Sequence, residues 1–90
     1  MTESHLKSKV VKLLATYPGI WYYKASDRWQ SGIPDIIGCW RGRFFAIELK
    51  VKPNGPTKMQ EYVIKKIRMA GGVAGVCYSV DEVKRLLCGI

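Results

Sequence analysis

Residues 31–51, SGIPDIIGCWRGRFFAIELKV, carry the clearest structural pattern in the sequence. It contains two runs of β-prone residues, 35–40 and 43–51, with Arg41-Gly42 between them. Two such runs joined by a two-residue turn predict an antiparallel β-hairpin. The segments before and after the hairpin then decide what covers its two faces.

The flanking segments predict three helices and two further strands, because apolar residues recur at helical spacing in three places and β-prone runs mark two more. In chain order the predicted elements are a helix at 2–16, a strand at 20–25, the hairpin strands at 35–40 and 43–51, a helix from Thr57 to the Gly71-Gly72 stop, a strand at 73–78 and a last helix opened by Ser79. A helix joins the third and fourth strands, which favours a parallel, right-handed crossover. We therefore expect one α/β domain over residues 1–90, with a mixed β-sheet flanked by helices in the order αβββαβα.

Apolar positions and cysteines in these elements predict parts of the core. The second helix is expected to bury a stripe at helical spacing, namely Met59, Val63, Ile67 and Ala70. Two of the three cysteines, Cys39 and Cys77, lie in apolar strands and are predicted core residues. The chain has no C-x-x-C motif and a single histidine, so it lacks a zinc-binding spacing, and we expect reduced thiols in an intracellular protein.

The hairpin register brings two acidic residues together. Trp40 pairs with Arg43 across the turn, so counting outward places Asp35 opposite Glu48, with Cβ atoms about 5 Å apart. Two facing carboxylates repel each other, and a divalent cation that takes oxygen ligands would offset this repulsion. A three-residue loop would instead shift the register by one and turn one carboxylate to the other face.

Strand periodicity adds a cation to this pair. Side chains alternate between faces, so Glu48 and Lys50 share one face of the sheet while Leu49 points to the other. An ammonium group beside two carboxylates can orient an attacking water or stabilise negative charge on a phosphate. Glu-x-Lys alone is also the pattern of a salt-bridged solvent face, so the functional interpretation depends on the Gly32-x-Pro34-Asp35 motif that precedes it.

The overall charge indicates a polyanionic partner. Fifteen Lys and Arg against seven Asp and Glu give a net charge of +8. Such an imbalance in a small domain favours nucleic acid, although a merely basic, soluble surface is the alternative. No apolar run approaches the roughly 18 residues of a membrane span, and the N-terminal residues lack a signal-peptide core, so we expect a cytoplasmic protein with no membrane partner.

The segment before Asp35 mixes cationic, hydrogen-bonding and aromatic side chains, which position phosphate backbones and stack on bases. The candidate nucleic-acid contacts are Lys24, Ser26, Arg28 and Ser31, together with Lys52 and Lys58, and Trp29 and Gln30 lie in the same segment. The aromatic residues of the first strand are instead predicted to serve the sheet core or a subunit interface.

Three short motifs, taken in order, resemble the signature of PD-(D/E)xK nucleases: Ser31-Gly32-Ile33-Pro34-Asp35, Glu48-Leu49-Lys50 and Gln60. The sequence most closely resembles the small VRR-NUC branch, and it is also similar in size and pattern to Holliday-junction resolvases. The resemblance extends from Glu3 to the predicted strand at 73–78. It implies the fold of the PD-(D/E)xK core and a metal-dependent phosphodiesterase, of bacterial or phage origin when the domain stands alone.

The resemblance also implies roles for individual residues. Asp35, Glu48 and the backbone carbonyl of Leu49 would bind Mg²⁺ or Mn²⁺, and Lys50 matches the motif lysine. These residues, with two positions on the helices, form the expected catalytic site.

The two helix positions are Glu3, which matches the acidic position of the family's first helix, and Gln60, which matches the polar position of its second. Each also has a purely structural explanation. Glu3 favours the dipole of its helix, and Gln60 completes a capping box with Thr57. Both explanations stay open at this point.

Together these observations predict a Mg²⁺- or Mn²⁺-dependent endonuclease that hydrolyses DNA and needs no nucleotide cofactor. Ninety residues leave no room for a separate sequence-reading domain, so selectivity should come from nucleic-acid shape, such as a branch or a Holliday junction. The small core and the resemblance to junction resolvases predict a homodimer. The alternative is a non-catalytic nucleic-acid-binding module that retains the fold.

Overall fold

The computed structural model describes residues 1–25 and 31–90. Its elements are α1 (Glu3–Leu14), β1 (Trp21–Lys24), β2 (Ile36–Trp40), β3 (Arg43–Leu49), α2 (Lys58–Met69), β4 (Val73–Cys77) and α3 (Val80–Leu87). The predicted order αβββαβα is confirmed, and each predicted boundary lies within two residues of the observed one. None of the helices in the described ranges is long and apolar enough to cross a bilayer.

The four strands lie side by side in the order β1-β2-β3-β4. The first three form an antiparallel meander, and α2 carries the chain across to β4, which pairs with β3 in parallel. The predicted α/β class with a mixed sheet is therefore confirmed.

The hairpin register follows the two-residue turn. Trp40 pairs with Arg43 and Ile36 with Ile47. Arg41 and Gly42 both have positive φ, 52° and 76°, as a type I′ turn requires. The Arg41 guanidinium lies 4.3 Å from the centre of the Trp40 ring, a cation–π contact that helps hold the turn. The alternative three-residue loop does not form.

The two faces of the sheet are covered unequally. Helices α1 and α3 pack on one face and enclose the main core, which consists of Leu6, Val10, Leu14, Ile36, Phe45, Ile47, Leu49, Cys77, Val83 and Leu87. On the other face α2 packs over β3 and β4, where a smaller cluster consists of Ala46, Ile64 and Ala74. Strand alternation places Glu48 on this second face, together with Ala46.

The unequal cover corrects two predictions about the core. Met59 and Ala70 are exposed, and the fully buried residue of α2 is Ile64. Met59 lies in the first turn of α2, beside Gly32 in the turn before Asp35 and not over the sheet core, and Ala70 is already the C-cap. Cys39 is also exposed, because it lies on the α2 face of β2 beyond the reach of that helix.

Candidate active site

The hairpin holds Asp35 beside Glu48. Asp35 directly precedes β2, and its carbonyl accepts the Ala25 N–H at 2.8 Å, which extends the β1–β2 ladder by one step. Its carboxylate oxygen Oδ2 accepts the Leu49 N–H at 2.9 Å. Strands on both sides therefore position this residue: β1 holds its backbone, and β3 holds its side chain.

Glu48 is the one buried charged residue in the described part of the chain, at 2 % exposure. Its Oε2 atom accepts a hydrogen bond from Gln60 Nε2 at 3.1 Å and lies 3.5 Å from Lys50 Nζ. Its Oε1 atom is buried and has no hydrogen-bond partner among residues 1–25 and 31–90. A buried carboxylate oxygen without a donor is costly unless a proton or a cation satisfies it.

The surroundings of Glu48 raise its pKa to about 7, from an ordinary value of 4.5. Burial is the main cause, and the facing Asp35 carboxylate adds to it, whereas Lys50 acts in the opposite direction. Among the described residues, Lys50 is the ammonium group beside Glu48, and it does not fully compensate two carboxylates and the loss of hydration. This site therefore has a net demand for positive charge.

Gln60 serves two purposes at once. Its Oε1 atom accepts the Thr57 N–H at 2.9 Å, while the Thr57 hydroxyl accepts the Gln60 N–H at 3.1 Å, so the capping box is complete. The same side chain donates through Nε2 to Glu48. Because the cap fixes the amide oxygen, it also aims the amide nitrogen at the carboxylate, so the capping role and the contact with Glu48 are compatible.

Glu3 opens onto the same side of the molecule as Asp35. It is exposed in the first turn of α1, and it lines a cavity of about 230 Å³ with Ser4, Lys7, Asp35 and Leu49. No three His, Cys, Asp or Glu side chains cluster as metal ligands within the described ranges. Glu3 thus lies near the carboxylate pair but does not form a three-residue metal-ligand cluster with it. Its place in the first helical turn also fits the dipole explanation.

The donor set fits a small, hard cation. Asp35 and Glu48 offer carboxylate oxygens, one of them unsatisfied, and Leu49 offers a carbonyl. The N–H and C=O of one strand residue project to the same side, so the Leu49 carbonyl projects towards β2, as its N–H does. Two carboxylates and a carbonyl, with the remaining positions left to water or substrate, suit Mg²⁺ or Mn²⁺ and lack the nitrogen and sulfur ligands of zinc sites.

The predicted nucleic-acid contacts are only partly brought together. Lys24 ends β1 next to α1, and Ser31 is exposed in the turn that precedes Asp35. Lys52 is exposed in the connection between β3 and α2, with its Nζ 4.7 Å from the centre of the Tyr78 ring, and Lys58 is exposed at the start of α2. The predicted contacts Ser26 and Arg28, with Trp29 and Gln30, lie outside the described residues.

Sequence reasoning missed Ser4 and Ser8, which line cavities beside the carboxylate pair. Their spacing of four residues on α1, on the flank of its buried stripe, was a signal available in the sequence.

No family model matches the sequence, and a search of curated proteins finds no match. Among solved structures, one described as a VRR_NUC domain superimposes with a TM-score of 0.78. The alignment covers 97 % of this chain and 96 % of the other, at 22 % sequence identity. The chain therefore has the fold of a VRR_NUC domain.

Proposed function

We propose that this chain is a metal-dependent endonuclease that hydrolyses phosphodiester bonds in DNA. The observation that carries the proposal is the carboxylate pair Asp35–Glu48. The buried Oε1 atom of Glu48 has no hydrogen-bond partner in the described chain, and Lys50 Nζ lies 3.5 Å from Glu48 Oε2. The likeness in fold to a VRR_NUC domain, a name that denotes a nuclease, supports the same reaction class.

Each residue of the site has its own role in the proposed reaction. Asp35, Glu48 and the Leu49 carbonyl would hold Mg²⁺ or Mn²⁺, and the bound ion would lower the pKa of a water and offset charge on the phosphate. Lys50 orients the attacking water or stabilises the extra negative charge of the transition state. Gln60 keeps the Glu48 carboxylate in place by donating to Oε2, which leaves Oε1 free for the cation.

The positive charge of the domain supports a nucleic-acid substrate. A net charge of +8 on ninety residues attracts the phosphate backbone, and this attraction does not depend on base sequence. We propose that selectivity comes from the shape of branched DNA, with a four-way or Holliday junction as the leading candidate.

A homodimer is part of this proposal. Trp21 and Tyr23 are 59 % and 56 % exposed, and their rings stack with centroids 6.4 Å apart. Register places Cys39 beside Trp21, and Phe44 beside Cys39, on the same sheet face. These four residues form an apolar surface that α2 leaves uncovered, and a second copy could bury it.

Light scattering tests the dimer, which should give about twice 10.2 kDa. Trp21→Lys should reduce the mass to that of a monomer, because it places a charge in the buried interface. A wild type that stays monomeric at micromolar concentration would contradict the dimer and leave the nuclease proposal standing.

Cleavage assays test the activity on single-stranded, duplex, flap and four-way DNA, with Mg²⁺, Mn²⁺ or EDTA. Asp35→Ala and Lys50→Ala should each abolish most cleavage and leave the circular dichroism spectrum unchanged. The matched controls are Asp81→Ala and Lys84→Ala, which remove the same charges from exposed positions on α3. Cleavage that persists in EDTA, or in Asp35→Ala, would refute the metal site.

The second candidate function is a non-catalytic nucleic-acid-binding module. The high positive charge alone would support it. It predicts binding that neither requires a divalent metal nor changes in Asp35→Ala, and no cleavage of any substrate in the panel.

A further inference from the structure

A second cavity lies next to the carboxylate site. It measures about 370 Å³ and is lined by Ser4, Lys7, Ser8, Val11, Lys12 and Lys24. The first five residues follow each other at helical spacing along one side of α1. Lys24 pairs with Ile36, whose side chain is buried on the α1 face of the sheet, so Lys24 projects from β1 towards the helix. We call this cavity the α1–β1 groove.

The groove is continuous with the candidate active site. Ser4 and Lys7 line both the α1–β1 groove and the smaller cavity that contains Asp35 and Leu49. Lys24 also lies one residue pair away from Asp35 along the β1–β2 ladder. A chain that leaves the carboxylates in this direction therefore enters the groove directly.

The lining of the groove is chemically suited to phosphate. It carries three ammonium groups, on Lys7, Lys12 and Lys24, and no carboxylate. Within the described ranges the only ion pair is the one between Lys50 and Glu48, so none of these three ammonium groups forms an ion pair with a described carboxylate. The hydroxyls of Ser4 and Ser8 have no hydrogen bond to a described residue and can donate to phosphate oxygens.

The length of the groove sets how much nucleic acid it can hold. Ser4 and Lys12 are eight residues apart on α1, which corresponds to about 12 Å along the helix axis. A B-form strand advances about 3.4 Å per nucleotide, so the groove spans about three nucleotides.

We propose that the α1–β1 groove binds two or three non-scissile backbone phosphates of the substrate strand and so sets the path of that strand into the carboxylate site. This inference rests on the proposed function, because the strand it guides is the substrate of that site. The contacts are to phosphates only, so they act on any base sequence.

The first test measures binding without cleavage. Wild-type protein in EDTA is titrated against a fluorescent DNA junction over a range of salt concentrations. The double variant Lys12→Gln/Lys24→Gln is compared with Lys65→Gln/Lys84→Gln, which also lowers the net charge from +8 to +6 but changes exposed residues that line neither cavity. We expect the groove variant to bind about tenfold more weakly at low salt, with a slope of log K against log salt reduced by about 1.8 for two lost duplex contacts. The control should lose about twofold or less.

The second test locates the contact on the DNA. Single phosphates are replaced one at a time by neutral methylphosphonates. In the wild type, two or three consecutive positions next to the cleaved bond should each weaken binding severalfold. In Lys12→Gln/Lys24→Gln the same replacements should have little further effect, because the partners of those phosphates are gone.

The outcomes separate the groove from the nuclease activity. Equal weakening in the two double variants, or methylphosphonate effects that do not depend on the groove lysines, would overturn the groove and leave the cleavage data untouched. If no substrate is cleaved, the binding data in EDTA still decide the groove. Circular dichroism melting excludes unfolding as the cause of weaker binding.

Discussion

Replacing Glu48 with glutamine should stabilise the metal-free protein at neutral and alkaline pH. The buried carboxylate faces Asp35, and its Oε1 atom has no partner among the described residues. Glutamine has nearly the same shape, its oxygen can still accept from Gln60, and it carries no charge to desolvate. The cost of the ionised carboxylate should therefore disappear while the packing is kept.

The size of the effect follows from the pKa of Glu48. It rises from 4.5 to about 7, and at 1.36 kcal/mol for each pH unit the ionised form costs the fold up to about 3 kcal/mol. Even one third of that free energy would raise the Tm of a domain of this size by about 4–8 °C.

The stability of the wild type should depend on pH through Glu48. The folded state holds the Glu48 proton more tightly than the unfolded state, so the stability of the wild type falls as pH rises from 4.5 to about 7 and stays at the lower value above that. The stabilisation by Glu48→Gln should thus be close to zero at pH 4.5 and complete near pH 8.

Thermal melts in EDTA at several pH values measure this difference. Glu61→Gln is the matched control, because it removes the same charge from an exposed position in the first turn of α2 and should give no stabilisation. Adding Mg²⁺ should raise the Tm of the wild type by mass action but not that of Glu48→Gln. A variant that is less stable than the metal-free wild type at pH 8, or a difference that does not change with pH, would show that Glu48 is a structural partner of Lys50 and Gln60 and would falsify the reasoning.

Three further outcomes are expected. Gln60→Ala should lower the cleavage rate by about tenfold or more, because Glu48 loses its donor. Gln60→Glu should keep the helix cap and still lose activity, because it also lacks that donor; a wild-type cleavage rate in either variant would contradict the positioning role. Gly32→Ala should lower stability by about 1–3 kcal/mol in urea titrations, since Gly32 has a φ of 85° and a Cβ there would lie 2.7 Å from Met59. Gly38→Ala should cost more and abolish folding at 37 °C, because its Cβ would meet a main-chain carbonyl of β1 and an aromatic ring of β3, and a soluble variant with an unchanged Tm would contradict this packing.

The pattern of residues was enough to predict the hairpin and the carboxylates and lysine that it carries. The dipeptide Arg41-Gly42 favours a two-residue turn, and a turn of that length fixes the register at every later pair. The alternation of strand side chains then places Asp35, Glu48 and Lys50 together. These relations are local, because they involve neighbouring strands and a short connection, and for this reason the pattern of residues was sufficient.

The way the helices pack against this hairpin could be seen only in the folded protein. The contact of Gln60 with Glu48, and the shared cavity of Glu3 and Asp35, depend on where α2 and α1 lie over the sheet. The same placement leaves Cys39 and Met59 exposed, although an apolar run around Cys39 and the helical spacing of Met59 predicted burial.

The α1–β1 groove has the same origin. Helical spacing puts Ser4, Lys7, Ser8 and Lys12 on one side of α1, but nothing in that spacing says that Lys24 faces them. Helical periodicity specifies which residues share a side of a helix, whereas the rotation and offset of the helix over the sheet arise from side-chain packing between distant segments. The sequence therefore determined the local arrangement of the carboxylates, and the packing of the helices on the sheet decided what surrounds them.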